Sequence, residues 1–293
     1  MNKDKCFLLA TLLFVNNLLA QDRDVLNVSY AVSTLKNNDS LANATLMDVK
    51  LKLPVFQKLQ YTVVGILGYK NLSLQNFPAD YSDNLHGLNL QVAWIYKLSN
   101  RKSLTFFAQT GLFSDFRDVS NKDFRYSGGF RYRVKTSNKL STGLGLAYSR
   151  QFFGNQIIPF IDVDYHPTDK WSISGQFPIK PKVFYHFNNK WSTGVELSAD
   201  ANSYRLSASE RDNQFIQVNQ WTCLTKLEYK FANCWKLNGG IGKNFKQSYK
   251  LYNDNATTTW TIITVPLGEK PNPVYKIDSK GLNFQIELSF NPF

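Results

Sequence analysis

Beyond its first twenty residues the chain has no apolar run approaching the ~18 residues a membrane-spanning helix needs, which excludes a helical membrane protein. Cysteine and histidine are scarce, at 3 each. Cys6 lies inside the apolar N-terminal segment and not at its end, so it does not stand where a lipoprotein acceptor would. Cys223 and Cys234 are separated by most of a strand that rises ~3.3 Å per residue, too far to pair in a disulfide. No Cys and His cluster has ligand spacing, so neither a metal nor another cofactor is expected. His86, His166 and His186 have no serine and acid converging on them in the expected topology, which leaves a lipid-modifying barrel enzyme as a remote alternative. The net charge of +12 comes without any nucleic-acid recognition motif. Its suitable counterparts are anionic lipid head groups, lipopolysaccharide or a small anion. Gly239-Gly-Ile-Gly242 follows no nucleotide-binding pattern and reads as a place where a wall bends.

What the chain does have is rings and a two-residue rhythm. It carries 22 Phe, 15 Tyr and 6 Trp, and apolar and polar side chains alternate along most of its length. The start reads as an export signal over residues 1–20: Lys3 and Lys5, an apolar core from Phe7 to Val15, then Leu18-Leu-Ala20 before Gln21. Residues 21–293 then form one domain of about fourteen antiparallel strands, with twelve as the alternative. Tight connections such as Ser99-Asn-Arg-Lys102, Ser137-Asn-Lys-Leu140, Asn188-Asn-Lys-Trp191 and Ala232-Asn-Cys-Trp235 alternate with generally longer ones near 36–44, 71–84, 115–122, 205–213 and 248–280. Asn tolerates the left-handed backbone that a short hairpin demands. Loops sorted by parity are expected of an up-and-down transmembrane β-barrel with short periplasmic turns and longer extracellular loops. A secreted sandwich or lipocalin-like barrel has no reason to sort them.

Alternation also assigns faces. Val28, Tyr30 and Val32, or Leu88, Leu90, Val92, Trp94 and Tyr96, point outward, while Asn, Gln, Ser, Gly and charged residues on the same strands point in. Trp171, Trp191 and Trp235 each begin a strand after a tight turn and form part of a periplasmic aromatic girdle. The final strand places Leu282, Phe284, Ile286, Leu288 and Phe290 on one face and runs on to Phe293, a pattern suited to closing a barrel and to recognition by the barrel-assembly machinery.

Two internal features bear on function. Arg125, Arg131, Arg133 and Lys135 face inward on one strand, and small residues on the next strand leave room to reach Asp162 and Asp164. Arginine pairs carboxylates through a planar fork, so the expectation is a lumenal charge ladder, either structural or an anion-selective constriction. The strands at 171–177 and 182–187 fall short of the ~9–11 residues that span a bilayer, and they meet at Pro178-Ile-Lys-Pro181. Proline cannot donate to a strand ladder, so Pro178, Lys180 and Pro181 mark a low wall or lateral opening for an amphipathic ligand.

Tyr126-Ser-Gly-Gly129, Thr142-Gly-Leu-Gly-Leu-Ala-Tyr-Ser149, Pro159-Phe-Ile-Asp-Val-Asp-Tyr165, Asp169-Lys-Trp-Ser-Ile173 and Phe177-Pro-Ile-Lys-Pro181, in that order, resemble a family of Gram-negative outer-membrane β-barrels catalogued as domain of unknown function 6268. The resemblance implies an outer-membrane barrel and carries over no catalytic residue, ligand or transport substrate. The function expected is a pore or transporter for a small solute, anionic or amphipathic. The rival is a non-conducting structural or ligand-binding, adhesin-like barrel. The segment 248–280, with Tyr249, Tyr252, Trp260 and Tyr275, serves either as an inward plug or as an outward binding surface.

Overall fold

The computed structural model describes residues 24–292 apart from 38–39, 79, 82–83, 254–258 and 270; the expected signal segment and Phe293 lie outside the described residues. The strands are β1 (Leu26–Asn37), β2 (Ser40–Gln57), β3 (Tyr61–Gln75), β4 (Asn84–Lys97), β5 (Lys102–Ser114), β6 (Phe124–Lys135), β7 (Leu140–Gln151) and β8 (Gly154–Thr168). They continue as β9 (Trp171–Phe177), β10 (Lys180–His186), β11 (Trp191–Arg205), β12 (Gln214–Phe231), β13 (Trp235–Asn253), β14 (Trp260–Ile262), β15 (Val265–Leu267) and β16 (Tyr275–Phe290), with a short α-helix, α1 (Ala208–Arg211), and a 3₁₀ turn at Asn121–Asp123. The chain runs up and down: β1 to β13 pair antiparallel in order, β16 joins β13 to β1, and the β8–β9 pairing completes the ring. The result is a closed barrel of 14 strands, which sets the twelve-strand alternative aside. β14 and β15 are not part of that up-and-down order.

Closure rests on the last strand. β16 pairs with β1 from Leu26↔Phe290 to Ser33↔Asn283 and with β13 from Trp235↔Phe290 to Leu251↔Tyr275. Leu282, Phe284 and Ile286 stand exposed on its outer face, and Leu288 and Phe290 are half-buried beside them. The same face is apolar around the ring, with Tyr30, Leu88, Leu90, Trp94, Phe130, Leu144, Leu227 and Ile241 all exposed. An apolar exterior is what a bilayer solvates and water does not, and it distinguishes this barrel from a soluble one. Trp171, Trp191 and Trp235 sit at the first positions of β9, β11 and β13, each against a second ring: Tyr185 at 5.1 Å, Tyr229 at 4.4 Å and Phe290 at 4.8 Å between centroids.

The strands extend further than local composition suggests. A connection over 36–44 was expected, yet β1 and β2 pair as far as Asn37↔Ser40. β13 likewise continues to Asn253. Strand propensity follows the neighbour more than the residue, so a polar stretch flanked by partners stays in the ladder. Arginine at the bilayer midplane of a barrel costs about 2–4 kcal/mol. Phe284→Arg is therefore expected to lose that much in urea titrations of the protein refolded into vesicles, whereas Gln285→Arg, which points into the lumen, loses well under half of it.

Candidate functional site

The lumen is filled in tiers. Nearest the periplasm, Arg131 and Arg133 of β6 reach over β7 to β8: Arg131 Nη1 lies 3.3 Å from Asp162 Oδ2, and Arg133 donates to Asp164 Oδ2 at 2.8 Å with its Nε 3.6 Å from Asp162. The intervening strand makes this possible, because Gly143 and Gly145 sit opposite Arg133 and Arg131. A side chain at Gly145 would run into the Phe160 ring, and one at Gly143 would meet the Tyr132 carbonyl and come within 3.4 Å of Asp162. Asp162 is fully buried.

Two of the residues expected in this ladder stand elsewhere. Arg125 lies at the extracellular end of β6, its guanidinium stacked 3.3 Å above the Phe113 ring and hydrogen-bonded to Gln151. Five residues of strand separate it from Arg131, so it cannot reach the aspartates. Lys135 is exposed at the periplasmic end. A second cluster, on the opposite arc, was not anticipated. Lys226 of β12 bonds Glu196 of β11 at 2.9 Å and lies 3.4 Å from Glu287 of β16, which also accepts from Asn27 at 2.8 Å. The construction repeats that of the first cluster: the lysine passes over Gly240, its register partner on β13, to a carboxylate two strands away.

Above the ion pairs is a tier of amides. Asn244, wholly buried, accepts from Gln220 at 2.9 Å and from Thr222 at 2.6 Å, and donates to Gln247 at 3.0 Å. Gln247 in turn donates to the Tyr249 hydroxyl at 2.9 Å, and Asn283 to Ser33 at 2.7 Å. A cavity of about 110 Å³ opens here, with Lys70, Asp200, Gln220 and Gln285 on its polar side and Leu72, Val218 and Tyr249 on its apolar side.

The extracellular tier is an apolar roof. Leu35, Leu74, Leu85, Phe113, Phe153, Tyr204, Phe215, Ile216, Leu251 and Tyr252 are buried together. The roof forms because the β11–β12 hairpin leaves the wall and leans inward. Arg205 of β11 pairs with Ser114 of β5, which lies on the far side of the ring. Residues on both faces of this hairpin are consequently buried: Tyr204 and Ile216 on one, Ser203, Phe215 and Gln217 on the other. The bend coincides with a bulge at Trp221/Thr222 opposite Asn244–Lys246 of β13, a feature that re-aims strands. A strap holds it: Asp115 accepts from the Ser207 amide at 3.1 Å, Asp118 from the Ser209 amide at 2.8 Å, and Arg117 bonds Glu210 of α1 at 2.6 Å. In the same strap Asp123 lies 3.8 Å from Arg205, and burial pushes its carboxyl above the ordinary range despite the Ser120 amide that it accepts from.

The wall is interrupted where the prolines stand. β9 and β10 have 7 residues each, against 15 in β8 and 15 in β11. Pairing between β8 and β9 ends at Ile161↔Phe177, and the last bond to β11 is from the Ala199 amide to the Ile179 carbonyl at 2.8 Å. Pro178, Lys180 and Pro181 form the rim of this notch, with Lys180 3.8 Å from Glu196. Part of the notch is filled by β14, which pairs in parallel with Asn155–Ile157 of β8 and antiparallel with β15. Among the described residues of the segment 248–280, Tyr249 and Tyr252 belong to the roof and β14 lies in the wall.

Among the described residues no serine, histidine and acid form one chain of bonds. His186 bridges the hydroxyls of Ser172 (2.9 Å) and Ser192 (2.7 Å), His166 meets Asp164 at 3.0 Å, and His86 meets Tyr69 at 3.0 Å.

A closed antiparallel ring with an apolar exterior and an ion-paired, amide-lined lumen defines an outer-membrane β-barrel. Within that class the chain belongs to the family described as Domain of unknown function (DUF6268), whose model matches residues 30–262. No curated protein is a significant match. Among solved structures it is similar in fold to an outer membrane channel from Pseudomonas putida F1, with 11% identity, 90% of this chain and 94% of that chain covered, and a TM-score of 0.46. It is similar also to the NanC porin, with 9% identity, 90% and 98% covered, and a TM-score of 0.41. A third is the Pseudomonas putida toluene transporter TodX, with 7% identity, 92% and 88% covered, and a TM-score of 0.37.

Removing one partner of a buried ion pair costs about 3–5 kcal/mol, because the other charge is left unpaired. Asp162→Asn is expected to lose about 3 kcal/mol of stability in the vesicle-refolded barrel, and Arg133→Gln in the same chain to add less than its separate cost. Additive losses in that double-mutant cycle would show the contact to be energetically idle.

Proposed function

We propose that this chain is an outer-membrane channel for a small amphipathic solute, which crosses the barrel wall above β9–β10 instead of passing straight through the mouth. The observation that carries the reading is the pairing of a roofed mouth with an interrupted wall. The chemistry along such a path suits a molecule with two ends. Outside the notch lies hydrocarbon, and inside it lie first apolar side chains and then the amides around Asn244 and Gln220. The ion pairs lower down argue against a simple anion filter. Arg131 and Arg133 are matched by Asp162 and Asp164, so the constriction presents dipoles more than net charge. Export through the 1–20 segment, insertion guided by the C-terminal strand through Phe293, and contact of the basic surface with lipid and lipopolysaccharide belong to the same reading.

A second reading, a non-conducting binding barrel, is favoured by one observation, the strap from β5–β6 to α1 that holds the roof down. Uptake separates the two. Proteoliposomes holding the refolded barrel are expected to take up a short alkyl sulfonate, whose permanent charge bare bilayers hold back, about tenfold faster than empty vesicles. They are expected to exclude a disaccharide of similar mass. Equal uptake of both probes indicates an open axial pore, and uptake of neither indicates the binding barrel.

A further inference from the structure

We propose that β14–β15 is the gate of this window: a removable piece of wall that swings off the β8 edge to admit the solute. The proposal rests on the reading that solute crosses the wall at the notch, and it identifies the moving part.

The hairpin is built as wall. Trp260, Ile262, Val265 and Leu267 are exposed on its outer side, and Trp260 lies 6.5 Å from the lipid-facing Tyr148 ring. Thr261 and Thr264, between them, are buried, Thr264 against the Trp221 indole of β12. β14 thus alternates as a transmembrane strand does, whereas β15 is exposed at Val265, Pro266 and Leu267 alike.

Its attachment differs from that of the rest of the wall. Neighbouring wall strands are joined antiparallel along most of their shared length, whereas β14 meets β8 in parallel over Trp260–Ile262 alone. Flanking the three ladder pairs, main-chain bonds run from the Asn155 amide to the Thr259 carbonyl at 2.8 Å and from the Ile263 amide to the Ile157 carbonyl at 2.9 Å. Side chains add Gln156 to the Ile263 carbonyl at 2.5 Å and the Trp221 indole to Thr264 at 3.1 Å. Gly154, with φ +120°, makes the seat possible: a Cβ there would fall 2.1 Å from the Thr259 carbonyl oxygen. Beyond β15 no wall strand pairs with its outer edge among the described residues. The hairpin can leave by breaking one short seam with β8 and the Trp221 bond to β12, and the seam borders the part of the ring where, among the described residues, β8 and β11 have no strand between them.

The test uses the full barrel with its free thiols removed by Cys223→Ser and Cys234→Ser. Asn155→Cys and Trp260→Cys, register partners across the seam, are bridged with a short bifunctional thiol reagent. The bridged barrel is expected to lose alkyl sulfonate uptake about tenfold relative to the same chain left unbridged. Uptake equal in the two overturns the gate. A second measurement is independent of transport: in separate chains, Thr261→Cys is expected to react with a water-soluble maleimide about tenfold faster than Thr222→Cys, which is similarly buried on the fixed wall. Should no chain take up the probe, the channel reading falls, and labelling then decides the hairpin by itself. Protection equal to that of Thr222→Cys means a permanent patch and overturns the proposal; faster reaction upholds a detachable one.

Discussion

In hydrocarbon every backbone N–H and C=O must find a partner inside the protein, and the rest of this structure depends on that requirement. It forces the ring to close, which β16 does by pairing with β1 and β13 together. It also explains why strands persist through stretches whose side chains look like loop, since leaving the ladder would strand polar groups. A wall that falls short at β9–β10 therefore leaves two edges, on β8 and β11, that need partners or positions where none is needed. Much of what is unusual here answers that need.

Inside the ring the requirement passes to side chains. Strand alternation delivers polar residues to a narrow lumen, and each buried charge there must be matched. Both ion-pair clusters solve this in one way: a long cation on one strand, glycine on the next, a carboxylate on the third. Glycine in a strand interior weakens the strand. Here the cost is offset by the room it leaves for arginine or lysine to cross, and in the case of Gly145 for the Phe160 ring. Tiering follows from depth. The two glycine-spaced ion-pair clusters lie toward the periplasm, amides with Lys70 and Asp200 at the middle, and at the top apolar side chains packed around Arg125 and Arg205, where β11–β12 leans inward.

The strand rhythm, the faces and the approach of Arg131 and Arg133 to Asp162 and Asp164 were legible because each depends on parity along one strand or between near neighbours in sequence. Arg125 was misassigned because parity gives direction and not height; it points inward, but at the level of Phe113 and Phe152. Lys226, Glu196 and Glu287 went unseen because they meet through the register of β11, β12, β13 and β16, which no local pattern encodes. Their signal existed in retrospect: each is a charge on the inward parity of its strand, Glu287 the lone one on β16, with Gly194 and Gly240 opposite the lysine. The roof was illegible for a different reason. Its residues carry an outward or inward parity that the bulge at Trp221 and the lean of the hairpin then override.

The prolines show that the interruption is written into the chain. Asn155 donates and Ile157 accepts toward β14, so by alternation the backbone of Pro159 faces the same side, above the last β8–β9 pair at Ile161. A residue with an N–H there would present a donor without a ladder partner; proline presents none. Pro178 stands at the tip of the opposing hairpin, and Pro181, second residue of β10, is in register with Gly175, whose φ of +122° lets the Lys180 carbonyl lie against its α-carbon. Had the sequence been shaped for an unbroken wall, longer β9 and β10 strands without proline would have paired both edges and left β14 nothing to join. The residues chosen instead reduce what an open window exposes to lipid, and the short β14 seam covers part of what remains.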